Sequence, residues 1–166
     1  RSPTRMIHYE GAQGDPTHPD YVGLSTRWGS EEDKKNLHTP LANPTDPAFV
    51  DMISRMYPTL EDLVGLAESP YIKRPILMCE YAHAMGNSLG NLAEYWEEIR
   101  NRPNLVGGFI WDWIDQGIET QNDKGETYLA YGGDFGDKPN DSNFCINGIV
   151  DSYRKPKPQM WEAKYV

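Results

Sequence analysis

Positive charge and long apolar runs are both scarce in this sequence. Its 166 residues hold 16 Lys and Arg against 25 Asp and Glu, which gives a formal net charge of −9. The basic residues are scattered, so the chain offers no cationic patch to a phosphate backbone, and we expect no nucleic-acid partner. No apolar stretch approaches the roughly 20 residues that span a bilayer, and we therefore expect no membrane partner.

Cysteine is also scarce, with only Cys79 and Cys145 present. Cys79 ends the apolar run at 76–79, and this position favours a buried small hydrophobe over one half of a disulfide. The cysteines leave a cytoplasmic or a periplasmic location equally open. Aromatic residues are plentiful by contrast, with five Trp and ten Tyr, and such rings either fill a core or stack on the apolar faces of sugars.

Hydrophobic periodicity divides the chain into short strands and helices. Short apolar runs predict four strands, at residues 6–9, 50–56, 76–79 and 105–111. Helical spacing predicts one helix that Thr59 caps, a second that Asn87 or Ser88 caps, and a final helix from Pro158 to Tyr165. Strands and helices therefore alternate through the middle of the chain.

This alternation indicates an α/β protein with parallel strands and right-handed crossovers. The strands are apolar throughout and need cover on both faces, as in a TIM (β/α)8 barrel or a doubly wound sheet. The glycine-rich stretch at 86–90 lacks the glycine spacing and the following Lys of a phosphate-binding loop, which favours the barrel. We expect one unit over residues 1–166, with a long loop at 11–47 on the active face.

Three acidic residues fall at or near the ends of predicted strands: Glu10, Glu80 and Asp112. In a parallel barrel such ends meet at one mouth, where these enzymes keep their chemistry. Two carboxyl groups about 5 to 5.5 Å apart suit a retaining glycosidase, in which one is the nucleophile and the other donates a proton. Each acid taken singly is better explained as a surface charge, so the prediction depends on the three together.

His83 and two tryptophans lie close to these acids in the sequence. His83 could bind a sugar hydroxyl, bind a metal or pack in a loop, and no second His or Cys stands at a metal-ligand spacing. In Trp111-Asp-Trp113, strand alternation places only one indole at the barrel mouth. We expect the indole at the mouth to be that of Trp111.

Three longer strings together resemble one known family. They are Cys79-Glu-Tyr-Ala-His-Ala-Met-Gly-Asn-Ser88, Gly107-Gly-Phe-Ile-Trp-Asp-Trp113-Ile-Asp-Gln116 and Tyr131-Gly-Gly-Asp-Phe-Gly-Asp137. Along nearly the whole chain, the sequence is similar to the bacterial β-galactosidases of glycoside hydrolase family 2. The resemblance implies that Glu80 is the nucleophile of a retaining enzyme, which releases terminal β-D-galactose from galactosides such as lactose.

The resemblance also implies roles for other residues of the chain. Tyr57 assists the nucleophile, His83, Trp111 and Asn147 bind galactose, and Phe144 and Asn147 supply oxygens to Na⁺ or K⁺. The family's Mg²⁺ ligands and its general acid/base glutamate are expected before Arg1. The second catalytic carboxylate is then upstream of this chain and is not Glu10.

By the same resemblance, residues 1–166 are the C-terminal half of a (β/α)8 barrel, comprising strands five to eight with long loops. The expected partners are a galactoside, the remainder of the parent enzyme and further copies in a homo-oligomer. The chain alone is expected to be inactive. The alternatives are a non-catalytic galactoside-binding fragment and a sister glycosidase, either a β-glucuronidase or a β-mannosidase.

Overall fold

A computed structural model describes residues 4–14 and 45–166. The chain divides into two compact units, of which unit 1 comprises Arg1–Tyr81 with Ala93–Phe109 and unit 2 comprises Ala82–Leu92 with Ile110–Val166. The predicted loop at 11–47 lies largely outside the described residues.

One three-stranded sheet has the order β1-β2-β3, with β1 at Ile53–Met56, β2 at Ile76–Tyr81 and β3 at Leu105–Ile110. β1 and β2 are parallel, as the alternating pattern predicted. Helix α1 at Leu60–Glu68 follows β1, and α2 at Leu92–Asn101 follows β2. Three strands cannot close a barrel that needs eight, so closure requires strands beyond the described residues.

The start of α1 agrees with the sequence prediction in detail. The Thr59 hydroxyl accepts a hydrogen bond from the Asp62 N–H at 3.1 Å, and the Asp62 carboxylate accepts one from the Thr59 N–H at 3.4 Å. This reciprocal pair satisfies donors that the first helical turn leaves open. The helix stops before Ser69, and Pro70 follows directly.

The start of α2 differs from the prediction that Asn87 or Ser88 would cap it. Leu89 and Asn91 have φ values of 93° and 60°, which a right-handed helix cannot contain. The Ser88 hydroxyl instead donates to the carbonyls of His83 and Met85. Such local side-chain bonds compete with helix formation, and α2 consequently begins only at Leu92.

The predicted strand at 6–9 is wrong, because these residues have no strand conformation. The Ile7 N–H donates to an Asp51 carboxylate oxygen at 2.6 Å, and the Asp51 N–H donates to the Ile7 carbonyl at 2.8 Å. The segment is therefore held to Asp51 through Ile7 and to Ser54 through a 3.1 Å hydrogen bond of the His8 ring, and residues 6–9 form no strand ladder. The strand predicted over 50–56 is correspondingly shorter, since β1 begins at Ile53.

Unit 2 contains an antiparallel hairpin that the sequence analysis missed. Its strands are β4 at Ile118–Gln121 and β5 at Thr127–Ala130, and Gly125 in the turn has a φ of 77°. A short 3₁₀ helix at Ser142–Cys145 and α3 at Pro158–Tyr165 follow, the latter over the residues predicted. Among the described residues, no helix has the length and apolarity to cross a bilayer.

Candidate active site

Glu80 lies in unit 1 as the second-last residue of β2, a half-buried position. Pairing with β1 shifts by one residue just before it, because Arg55 pairs with Met78 whereas Met56 pairs with Glu80. Cys79 is therefore an extra residue in β2, which is a β-bulge. Bulges change the direction of the side chains that follow, so simple strand alternation does not set the direction of the Glu80 side chain.

Tyr57 is the first residue after β1, and unit 1 brings its backbone to Glu80. The Tyr57 N–H donates to the Glu80 carbonyl at 2.8 Å. Tyr57 has a φ of 48°, an uncommon left-handed conformation for a residue with a side chain. The chain therefore turns away from the sheet at Tyr57 while remaining hydrogen-bonded to the strand that carries Glu80.

The pKa of the Cys79 thiol is affected by two of the three candidate acids, Glu10 and Glu80. Burial raises the pKa of this thiol, the charges of Glu10 and Glu80 raise its pKa further, and the Ser54 side chain opposes the shift. Both carboxylates thus act electrostatically on one buried atom of unit 1. Glu10 itself is exposed in a turn, and residues 6–9 before it form no strand. Cys79 is 7% exposed with a free thiol, in keeping with its prediction as a buried hydrophobe.

Tyr81, the residue after Glu80, is held by a contact that sequence reasoning missed. Its hydroxyl accepts a hydrogen bond from Trp96 Nε1 of α2 at 3.0 Å, and only 2% of the residue is exposed. Burial raises the pKa of Tyr81 above its ordinary value. An indole is largely apolar, but it also carries a donor that needs a partner when buried, and the Tyr81 hydroxyl is that partner here.

Unit 2 brings His83 close to one of the predicted cation ligands. The His83 and Phe144 rings have centroids 5.5 Å apart and planes inclined by 39°. The next residue, Ala84, donates its N–H to the Trp111 carbonyl at 2.7 Å. Trp111 is half-buried whereas Trp113 is 57% exposed, so the two indoles of this string have different environments.

Asn147 is joined to the same part of unit 2 through Asp112. The Asp112 N–H donates to the Asn147 carbonyl at 2.9 Å, and the Ile149 N–H donates to the Asp112 carbonyl at 3.0 Å. Asn147 is 1% exposed, and its Oδ1 atom is buried with no hydrogen-bond partner within the described ranges. Buried acceptors are normally satisfied, so this oxygen is available to a ligand.

The Asp112 carboxylate is engaged within its own turn. It accepts hydrogen bonds from the backbone N–H groups of Trp113 and Ile114 and from the Gln116 side chain, the last at 2.7 Å. A carboxylate that accepts several such bonds is held in a fixed orientation. This arrangement suits a structural acid that shapes the turn after β3.

The predicted oxygen ligands differ in kind from a carboxylate or imidazole metal centre. In the part of the chain that the structure describes, no group of three or more His, Cys, Asp or Glu residues could hold a metal ion. A backbone carbonyl at Phe144 and the amide oxygen of Asn147 are instead hard, neutral ligands that suit cations such as Na⁺ or K⁺.

Comparison with known proteins places the whole chain in one family. Residues 1–166 match the family model "Glycosyl hydrolases family 2, TIM barrel domain". The chain is 56% identical over 163 residues to a β-galactosidase of Alteromonas mediterranea and 42% identical over 165 residues to one of Psychromonas ingrahamii. These alignments cover 98% and 99% of this chain but only 14% of each relative, so the chain spans about one seventh of their length. A solved β-galacturonidase of Eisenbergiella tayi is 21% identical with a TM-score of 0.42, over 74% of this chain and 25% of that one.

Proposed function

The chain belongs to the TIM barrel domain of the family 2 glycosyl hydrolases, and from this membership we propose that it forms the C-terminal part of the catalytic barrel of a longer enzyme. The complete protein is then a retaining β-galactosidase that releases terminal, non-reducing β-D-galactose from galactosides such as lactose. Relatives named β-galactosidase support this substrate class. The observation that carries the proposal is Glu80 near the end of a parallel strand, hydrogen-bonded to the residue that follows the neighbouring strand.

Glu80 is the proposed nucleophile. Its carboxylate oxygen forms a bond to the anomeric carbon while the bond from that carbon to the aglycone oxygen breaks. The leaving oxygen takes a proton from the general acid, which we expect before Arg1. Water then attacks the anomeric carbon, gives its proton to the same acid/base residue and releases the Glu80 carboxylate. Two inversions at one carbon leave its configuration unchanged.

Tyr57 is the proposed assistant of the nucleophile. A nucleophile must be held within a few tenths of an ångström of its attacking position, and rigid strands achieve this better than loops. The bond from the Tyr57 N–H to the Glu80 carbonyl fixes the β2 backbone at that point. The bulge at Cys79 then aims the Glu80 side chain.

His83, Trp111 and Asn147 are the proposed galactose-binding residues. The imidazole hydrogen-bonds a sugar hydroxyl, and the indole stacks on the apolar face of the ring. In support, residues 84, 111, 112 and 147 of unit 2 are linked by two backbone hydrogen bonds, of 2.7 and 2.9 Å. A site assembled through backbone bonds keeps its side chains oriented before substrate arrives.

Phe144 and Asn147 are the proposed ligands of Na⁺ or K⁺, through the backbone carbonyl and Oδ1 respectively. The buried Oδ1 atom without a hydrogen-bond partner among the described residues fits this role. When bound, the cation supplies positive charge that a sugar hydroxyl oxygen can coordinate. We propose that the ligands of Mg²⁺ lie in the remainder of the protein.

The decisive experiment replaces Glu80 in the complete protein. Glu80→Gln removes the nucleophile while keeping its shape, and kcat for a nitrophenyl β-galactoside should fall by several orders of magnitude. Glu97→Gln is the matched control, because Glu97 is exposed on α2. Mass spectrometry after treatment with a 2-fluoro-galactoside should find the label on Glu80, and a label on Glu10 or Asp112 would contradict the assignment.

The same protein preparations test the alternative functions. Galactoside binding without turnover would identify a non-catalytic binding protein, and preferential hydrolysis of a glucuronide or mannoside would identify a sister glycosidase. The 166-residue chain expressed alone should hydrolyse no galactoside if the general acid lies upstream of Arg1 as proposed, because such a proton donor typically contributes 10²- to 10⁴-fold. Its activity should require a separately expressed N-terminal half.

A further inference from the structure

Asp115 is a nearly buried acid of unit 2, and the proposed function gives it no role. It is 8% exposed, and its Oδ1 accepts a hydrogen bond from the Gly148 N–H at 2.7 Å. The Lys157 ammonium lies 3.0 Å from the same oxygen and 3.3 Å from Oδ2. The Asp115 backbone is bonded as well, since its N–H donates to the Val150 carbonyl at 3.0 Å and its carbonyl accepts from the Ser152 hydroxyl at 2.9 Å.

Two hydrogen bonds, one from Asp112 and one to Asp115, hold the peptide that links Asn147 to Gly148 at both of its polar atoms. The carbonyl of this peptide accepts the Asp112 N–H at 2.9 Å, and its N–H donates to the Asp115 side chain. A Cβ atom at Gly148 would stand 2.2 Å from the carbonyl carbon of Ile114 and 2.2 Å from the nitrogen of Asp115. The plane of the peptide is therefore fixed against the 112–115 turn, and only glycine fits that approach.

The orientation of this peptide sets the direction in which the Asn147 side chain leaves the backbone. Asn147 is 1% exposed, and its Oδ1 has no hydrogen-bond partner in residues 4–14 and 45–166. Because no bond to Oδ1 holds the side chain at that atom, its position depends on the packing around it and on the backbone from which it extends. The Asp115 carboxylate accepts a hydrogen bond from the N–H of that peptide and so contacts it directly.

Lys157 stabilises a charged carboxylate at the nearly buried Asp115 position. An ionised acid in a nearly buried site is costly without a paired charge, and Lys157 provides one. The backbone N–H of Lys157 also donates to the Ile149 carbonyl at 3.0 Å, so the lysine is tied to the same segment.

We propose that Asp115, paired with Lys157, is a positioning residue that orients the Asn147–Gly148 peptide and thereby sets the affinity of the Asn147 amide oxygen for a monovalent cation. The inference rests on the proposed cation site and adds to it a residue that never touches the ion.

The test measures Na⁺ binding without relying on catalysis. The thermal midpoint of the complete protein is recorded against NaCl concentration, with choline chloride holding ionic strength constant, because a ligand that binds only the folded state raises the midpoint by mass action. Asp115→Ala should raise the apparent Na⁺ Kd about tenfold, equivalent to about 1.4 kcal/mol. Asp115→Asn keeps an oxygen acceptor for the Gly148 N–H and should fall between wild type and alanine.

Two further variants complete the set. Lys157→Met removes the paired charge and should raise the Kd by several fold. Asp123→Asn is the matched control, since Asp123 is exposed in the turn between β4 and β5, and its Kd should equal that of wild type. If Asp115→Ala does not fold, Asp115→Asn and Lys157→Met decide the matter by the same criterion.

The outcomes separate this inference from the proposal beneath it. The inference would be overturned if the wild type responded to Na⁺ and the Asp115 variants bound Na⁺ with an unchanged Kd. If those variants also had a lower midpoint in choline, Asp115 would have only a structural role. A wild type without any Na⁺-dependent shift would reject the cation site itself, and the inference with it.

Discussion

Gly108 on β3 offers a direct test of how closely the sheet packs beside Glu80. A Cβ atom at this position would stand 2.9 Å from Cβ and Cε of Met78 and from Cδ1 of Tyr81. The Met78 Cε atom can rotate away, but its Cβ atom moves only with the backbone of β2. Since Met78 and Tyr81 flank Glu80 along β2, Gly108→Ala should displace the strand that carries the proposed nucleophile.

Two opposing effects set the size of this perturbation. Overpacking a close contact costs about 1 to 3 kcal/mol. Replacing glycine by alanine also restricts the unfolded chain, which offsets about 0.4 to 1 kcal/mol. At the mid-range values of about 2 and about 0.7 kcal/mol, the net local destabilisation is about 1.3 kcal/mol. We therefore expect about 1 to 2 kcal/mol, which corresponds to roughly 5- to 30-fold in the opening equilibrium.

Hydrogen exchange followed by mass spectrometry measures this local change inside a large protein. Peptides that cover β2 and β3 should exchange roughly 5 to 30 times faster in Gly108→Ala than in wild type, because their amides exchange through local opening. The kcat for a β-galactoside should fall in parallel if Glu80 is displaced. Peptides from the β4–β5 hairpin serve as an internal reference.

Gly90→Ala provides the matched control for this experiment. A Cβ atom at Gly90 would meet nothing within 4 Å, and Gly90 has no positive φ. Its exchange should therefore remain within about twofold of wild type, as for a surface change of about ±0.5 kcal/mol or less. Wild-type exchange in Gly108→Ala would refute the packing argument, as would equal acceleration in both variants.

Two further predictions concern His83 and Tyr81. His83→Phe removes the proposed partner of a sugar hydroxyl at a cost of about 1 to 3 kcal/mol. The kcat/KM for a galactoside should therefore fall roughly 5- to 150-fold. Unchanged kinetics would mean that the sugar site is placed wrongly. Burial raises the pKa of Tyr81 above 10.0, so the folded protein keeps the phenol proton to a higher pH than the unfolded chain. This stabilisation is complete below pH 10.0 and is lost as the pH rises through the folded pKa. Tyr81→Phe should therefore flatten the decline in thermal midpoint above that pH, and an unaltered slope would contradict the assignment.

Several features could be predicted from the sequence because neighbouring residues alone decide them. The Thr59–Asp62 capping pair lies within one helical turn, and the buried run before Glu80 is visible as uninterrupted apolarity. The strings around Glu80 and Trp111 were specific enough to indicate the family, which the whole-chain family match confirms. The site residues that the resemblance implied remain predictions.

Other features could not be read from periodicity because distant residues compete for the same backbone. Residues 6–9 have a strand-like composition, yet Asp51 takes up the hydrogen-bonding groups of Ile7. Ser88 looks like a helix cap, yet its hydroxyl bonds backward to His83 and Met85. The hairpin signal was present in the turn around Gly125, but the flanking strands have little apolar alternation.

The identity of the proposed nucleophile follows from the residues around Glu80 in the chain, whereas its orientation follows from pairing with β1. The bulge at Cys79 exists only because β1 and β2 align with one residue in excess, which no local pattern specifies. Likewise, Asp115 meets Gly148 and Lys157 across 33 and 42 residues of sequence. Local propensity depends on only a few neighbouring residues. The β1–β2 register and the Asp115 contacts therefore form only when the folded chain packs distant segments together.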